Sequence, residues 1–262
     1  MQKPLVCVTL SGRTAQQMAD DAPRAIEMGA DVVEVRLDIL WTTEERKMKS
    51  SNSDGEGEEV EILVNQLELE EVDHTEALEL LSSNTELPLL LTCRPQRQGG
   101  YFPGDEKARI EVLRDSIACK PGWIDLEVDI ESELREELLD SLDDGTKAIA
   151  SIHSMGGTPP SSEIVDDVLE AEGMGSFVKA CYQTKNRTDA LRIFEAALEL
   201  KSSKGSSSVM GLGPGGDWTR IHAPILDQHM VYSTTESGWH LAQQGRINAS
   251  DLRLAWKVLD YE

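Results

Sequence analysis

Positive charge is scarce in this chain: 25 Lys and Arg stand against 48 Asp and Glu, a formal net charge of −23 over 262 residues. A surface that acidic is repelled by nucleic-acid phosphates and by anionic lipid, so neither is an expected partner. No uninterrupted apolar stretch approaches the ~18 residues that a membrane-spanning helix requires. The opening MQKPLVCVTLSG runs straight into an apolar segment, without the basic region and longer apolar core of an export signal, and a cytoplasmic location is expected. The four cysteines, Cys7, Cys93, Cys119 and Cys181, form no CxxC pair, which suits reduced, packed thiols better than disulfides.

Several chemical motifs are missing too. His74, His222, His229 and His240 form no HxH, HExxH or Cys/His set of zinc spacing, so no metal is expected. A GxSxG elbow for a serine hydrolase is absent. The strand ends are also read as lacking a phosphate cradle of the GxGxxG or P-loop kind, although GLGPGGDW before Arg220 is Gly-rich.

The acidity is concentrated. Over 51–92 there is no Lys or Arg, while residues from Asp54 to Glu86 supply 12 negative charges. SSNSDGEGEE reads as a solvated loop, after which LVNQL and ALELL read as parts of helices. One domain over 1–262 is therefore expected, carrying an acidic insertion at about 42–86. Further acid elsewhere, as over 131–144, suggests adaptation to high salt, where screening shortens the range of repulsion.

Eight short apolar runs recur at 5–10, 32–37, 87–92, 123–128, 148–153, 177–182, 208–211 and 225–232. Continuous apolarity without alternation marks parallel strands covered on both faces. Amphipathic segments lie between them: Asp105 caps a helix with Ile110, Leu113 and Ile117, and Leu134, Leu138 and Leu142 mark another. Thr188 starts a third with Leu191, Phe194 and Leu198 inward, and Asn248 or Ser250 opens a last one. Eight such units in this length predict an α/β fold, a single (β/α)8 TIM barrel.

Active sites of such barrels lie at the carboxyl ends of the strands. Glu34, Arg36 and Asp38 alternate onto one face at the end of the second run, Arg94 follows the third, and His153 ends the fifth. Lys179 lies inside the sixth, FVKACY. A charge buried there costs several kcal/mol unless it is paired or neutralised. One reading is a structural lysine paired with Glu34 or Asp125. The other is an imine-forming amine whose pKa is lowered by burial and by Arg36 and Arg94. His153 is either a hydrogen-bonded core residue or a proton shuttle for the same ligand. Arg36, Arg94 and Arg220 suggest forks for a small anionic, carboxylate-bearing substrate, Arg36 with the competing option of Glu34 or Asp38.

EVRLD at 34–38, LTCRPQRQGG at 91–100, SIHSMGGTP at 151–159, FVKACY at 177–182 and the MG…WTR stretch ending at Arg220 together resemble type I 3-dehydroquinate dehydratase, with the motifs in family order. The resemblance implies a (β/α)8 barrel that dehydrates 3-dehydroquinate to 3-dehydroshikimate in the shikimate pathway, with no cofactor and usually as a homodimer. It implies Lys179 as the Schiff-base lysine and His153 as the general acid/base. Glu34, Arg36, Arg94 and Arg220 would hold the substrate's carboxylate and hydroxyls, and Thr9 would lie near the ligand. Two departures stand out: Gln98 replaces a Glu before Gly-Gly, and Ala242 and Arg246 replace the Ser and Gln of the closing loop. Gln243 or Gln244 is then left to supply the amide, and Arg246 to pair with the carboxylate. Another class I aldolase-like barrel and a non-catalytic metabolite-binding barrel are the alternatives.

Overall fold

A computed structural model describes residues 3–49, 59–203 and 205–261. Ten strands occur among them: β1 Leu5–Thr9, β2 Val32–Arg36, β3 Thr42–Lys49, β4 Glu59–Gln66, β5 Leu89–Thr92, β6 Trp123–Glu127, β7 Lys147–Ser154, β8 Phe177–Gln183, β9 Ser207–Leu212 and β10 Met230–Thr234. Eight form one parallel sheet in the order β10-β1-β2-β5-β6-β7-β8-β9. At the remaining seam β10 meets β9 through His229 N–H to Ser207 O, 3.0 Å or less apart, and through Met230 N–H to Ser208 Oγ. The sheet thus curls into a (β/α)8 barrel, as the apolar runs predict.

Helices α1 Ala15–Glu27, α2 His74–Ser83, α3 Glu106–Ala118, α4 Ser132–Asp140, α5 Ser161–Glu170, α6 Arg187–Leu200, α7 Gly216–Ile221, α8 His240–Gln243 and α9 Ala249–Val258 surround it. Their starts follow capping chemistry: Thr14, Asp73, Asp105, Asn186 and Asn248 each accept a backbone N–H of the first turn. The outward strand faces and inward helix faces bury an apolar jacket in two clusters, with Val33, Val35, Leu91, Leu113 and Trp256 in one and Ala180, Ile193, Ala197 and Val209 in the other.

Two sequence expectations are corrected here. LVNQL is not helical: all but its last residue belongs to β4, whose antiparallel partner is β3, with Thr42 opposite Gln66. Its pairing partner is the polar TTEERKMK, so local apolarity could not reveal the hairpin. The loop read from SSNSDGEGEE lies almost wholly outside the described residues. On α6 the inward face is Ala190, Ile193, Ala196, Ala197 and Leu200, whereas Leu191 and Leu198 are more than half exposed. Small residues let this helix approach the strands closely, and the larger leucines face outward.

Inside the barrel, side chains alternate with the jacket. Val32, Leu90, Trp123, Ile149, Phe177 and Met230 form an apolar floor. One pleat further toward the carboxyl ends, the same strands present Glu34, Thr92, Asp125, Ser151, Lys179 and Tyr232. The change from apolar to polar therefore occurs within one residue pair on every one of these strands, and on three of them the polar residue is charged.

Candidate active site

Lys179 is the centre of this layer, with Nζ 3.1 Å from Asp125 Oδ2, 3.6 Å from Glu34 Oε1 and 3.9 Å from the centre of the Tyr232 ring. Its side chain is 5% exposed. Burial pulls the ammonium pKa down, as the sequence suggests, but the Asp125 and Glu34 carboxylates overcome that pull and the net direction is up. The lowered amine pKa expected from Arg36 and Arg94 is thus corrected: both arginines are committed to carboxylates of their own. Arg36 forms a two-pronged pair with Asp38, Nε to Oδ1 at 2.8 Å and Nη2 to Oδ2 at 2.7 Å. Arg94 donates to Asp125, Glu127 and Ser151 at 2.9, 2.7 and 3.0 Å.

Asp125 is the hub. It accepts from Ser151 Oγ at 2.5 Å as well as from Arg94 and Lys179. Burial opposes its charge, yet the cations of Arg94 and Lys179 together hold the carboxyl well below the usual carboxylate range. Glu127, shared between Arg94 and Arg109, moves the other way because burial dominates. Sequence reading treated Asp125 only as a structural partner and passed over Glu127 and Tyr232. The period-2 placement of acids in WIDLE, one pleat above a tryptophan, is the signal for the first two. Tyr232 carries no such mark in MVYST.

His153 lies in register with Cys181, one pleat above Lys179. Burial, then the charges of Arg94 and Lys179, push its imidazole well below the ordinary value, so the ring is neutral at pH 7. Its Nδ1 is buried without a hydrogen-bond partner among the described residues, and so is Oε1 of Gln98. The Gln98 side chain lies close enough to Asp129 to help Arg97 hold that carboxyl low. Gly99, at φ +78°, packs so close to Met155 that the loop bearing Gln98 lies over the end of β7.

Thr9 donates to Glu34 Oε2 at 2.6 Å, and Thr92 to Glu34 Oε1 at 3.0 Å, which fixes that carboxylate beside the lysine. Arg220, on α7, donates to the carbonyls of Tyr232, Gly211 and Gly216 at 3.0, 3.0 and 2.7 Å. It has no carboxylate partner among the described residues, and burial pulls its pKa down to about 10. Gln244 is exposed and accepts from Arg246 through Oε1. The sequence-predicted residues thus gather at one barrel mouth, with Gln244 at its edge.

The Gly-rich run requires a correction. Gly211, Gly213 and Gly216 do have GxGxxG spacing, from the end of β9 to the start of α7. Three N–H groups of this stretch are nonetheless turned inward: Gly213 donates to Gln244 O, Gly216 to Gly213 O and Trp218 to Gly215 O. The glycines serve close approach, since a Cβ on Gly216 would lie 2.3 Å from Gly211 O. Among the described residues no group of three or more His, Cys, Asp or Glu is placed to hold a metal ion.

A parallel barrel with a buried amine, a neutral imidazole and an unmatched guanidinium at the carboxyl ends of its strands defines a TIM-barrel enzyme for a small anionic carbonyl compound. The chain belongs to the type I 3-dehydroquinase family, whose model matches residues 6–261. It is 24% identical to the 3-dehydroquinate dehydratase of Methanopyrus kandleri, covering 97% of this chain and 100% of that one. Against the 3-dehydroquinate dehydratase of Methanosarcina barkeri it is 27% identical, over 90% and 88% of the two chains. The fold also matches a type I 3-dehydroquinate dehydratase crystal structure from Clostridium difficile, with TM-score 0.78, 19% identity and coverage of 99% and 93%.

Proposed function

We propose that this chain dehydrates 3-dehydroquinate to 3-dehydroshikimate, the shikimate-pathway reaction of its family, through an imine on Lys179. The observation that carries the assignment is the buried Lys179 amine at the barrel mouth, held between Asp125 and Glu34 and facing the pleat that holds His153.

The steps follow from the charges. Lys179 rests as an ammonium and gives up a proton to attack the C3 ketone; neutral His153 is poised to take it. Attack forms a carbinolamine, whose hydroxyl takes the proton back from the His153 imidazolium and leaves as water, giving an iminium and a neutral imidazole again. The iminium draws electrons from the C2–H bond, and His153 removes that proton. Electrons then flow to form the C1–C2 double bond as the C1 hydroxyl leaves, protonated by the same imidazolium. Hydrolysis of the imine releases product and restores the amine. Glu34 and Arg36 face the substrate hydroxyls, Thr9 sets Glu34, and Arg94 works from below by fixing Asp125 and Glu127. Arg220 receives the carboxylate, which supplies the anion that this buried guanidinium otherwise lacks.

The aldolase alternative is disfavoured by the loop between β9 and α7, where barrels that take phosphosugars hold phosphate. The N–H groups of Gly213, Gly216 and Trp218 there are spent on carbonyls. The test is conversion of 3-dehydroquinate, followed by the ultraviolet absorbance of the conjugated enone. Enone formation is the expected result; none, with a phosphosugar trapped on Lys179 instead, would reverse the assignment.

The finer properties belong to the same proposal. The segment of about 42–86 is an insertion into one domain, supported by β3 and β4 forming their own two-stranded sheet. A cytoplasmic location is supported by four cysteines free of disulfides. Exposed Leu254 and Val258 on α9 provide apolar surface for a homodimer. Salt adaptation is supported by the −23 charge.

A further inference from the structure

We propose that Arg246 is a second carboxylate-binding cation of this site and that Glu236 is its displaceable counter-ion, holding in the unliganded chain the place that the substrate's carboxylate takes. The inference rests on the dehydratase reading and specifies how that site selects its anion.

Thr234, the last residue of β10, alternates onto the same face as Tyr232, one pleat nearer the mouth than the ring lying over Lys179. Arg246 reaches this position: its Nη2 donates to Thr234 Oγ1 at 2.9 Å. The same guanidinium grips Glu236, Nη2 to Oε1 at 3.1 Å and Nη1 to Oε2 at 3.3 Å. Its segment is pinned against the loop that leads to Arg220. Gly213 N–H donates to Gln244 O at 3.0 Å, and Gly245, at φ +67°, lies so near that a Cβ there would meet Gly213 O at 2.3 Å. The two guanidiniums also sense each other, Arg246 being one of the charges that lower Arg220.

Two cations thus share one mouth, and only one has a carboxylate. The Nη2 of Arg220 has no hydrogen bond among the described residues and is not enclosed, so its free donors face accessible space. The Glu236 pair is the weaker kind of holder: the Glu236 side chain is 43% exposed and that of Arg246 35%. The Asp38 carboxylate on Arg36, by contrast, is fully buried and shorter-bonded. His240 Nε2, 3.9 Å from Glu236 Oε2, lies where the released carboxylate can turn. A ligand carboxylate bridging Arg220 and Arg246 would gain two planar forks for the loss of one solvent-exposed pair. The mouth therefore selects for a carboxylate-bearing ligand.

The test measures Kd for 3-dehydroshikimate by calorimetry, alongside KM and kcat for 3-dehydroquinate at fixed salt. Arg246→Ala should weaken Kd and raise KM about 10- to 100-fold, the loss of a charge-assisted hydrogen bond, with a much smaller change in kcat. Arg246→Lys should recover part of that loss. Glu236→Gln should tighten binding, and in the Arg246→Ala background it should change nothing, because the Glu236 carboxylate affects binding through Arg246. Unchanged Kd in Arg246→Ala, or weaker binding in Glu236→Gln, overturns the inference and makes the pair a structural latch. A wild-type protein that binds 3-dehydroshikimate without converting 3-dehydroquinate would defeat the dehydratase reading alone, and the Kd ratios would still decide the role of Arg246.

Discussion

The Nζ of Lys179 lies 3.1 Å from Oδ2 of Asp125, and that carboxylate is in turn fixed by Ser151 and Arg94. The amine is therefore stored as an ammonium on a rigid support, and the first chemical event is its deprotonation. A neutral imidazole one pleat above is the matching base.

Replacing Asp125 by Asn leaves Arg94 and Lys179 with one charge fewer among their partners. Breaking a buried ion cluster in this way costs about 3–5 kcal/mol, to be read from denaturant midpoints. The Lys179 pKa should fall, moving imine formation to lower pH. Because Asp125 has a depressed carboxyl pKa in the folded chain, its stabilisation is complete above the unfolded value of about 4 and is lost as pH falls below that. Part of the acid-side slope of stability should therefore disappear in Asp125→Asn.

His153 sets the acid limb of kcat/KM. Burial lowers its pKa, so the limb should lie below the ordinary histidine value of about 6.5. In Gln98→Glu a carboxylate on the loop over β7 should favour the imidazolium and shift the limb upward. A profile identical to wild type would show that position 98 does not face His153.

On α6, Ile193→Ala should cost about 2–5 kcal/mol, since Ile193 is fully buried. Leu191→Ala should stay within about 0.5 kcal/mol, its side chain being more than half exposed. Equal losses from the two would return the helix to the face suggested by its leucines.

This helix shows where sequence reading ran out. Strands were legible because burial on both faces leaves an unbroken apolar run, and Glu34, His153 and Lys179 were legible because a polar group interrupts such a run. Helix faces are decided by fit against the barrel, where Ala196 and Ala197 allow an approach that Leu198 would block. The direction of the Lys179 shift was hidden for a related reason. Counting Arg36 and Arg94 as neighbours cannot reveal that Asp38, Asp125 and Glu127 already claim them. The β3–β4 hairpin depended on cross-strand partners that no local window contains.

Salt should act on stability through the acidic shell. With a net charge of −23, the chain is expected to gain stability from water to molar KCl as repulsion is screened. Thermal midpoints indifferent to KCl would remove salt adaptation from the account.

The central claim is tested most directly by borohydride reduction during turnover of 3-dehydroquinate, followed by peptide mass spectrometry. The account predicts one reduced adduct, on Lys179, with inactivation of the trapped protein and loss of both adduct and turnover in Lys179→Ala. Turnover without any adduct, undiminished in Lys179→Ala, would contradict it.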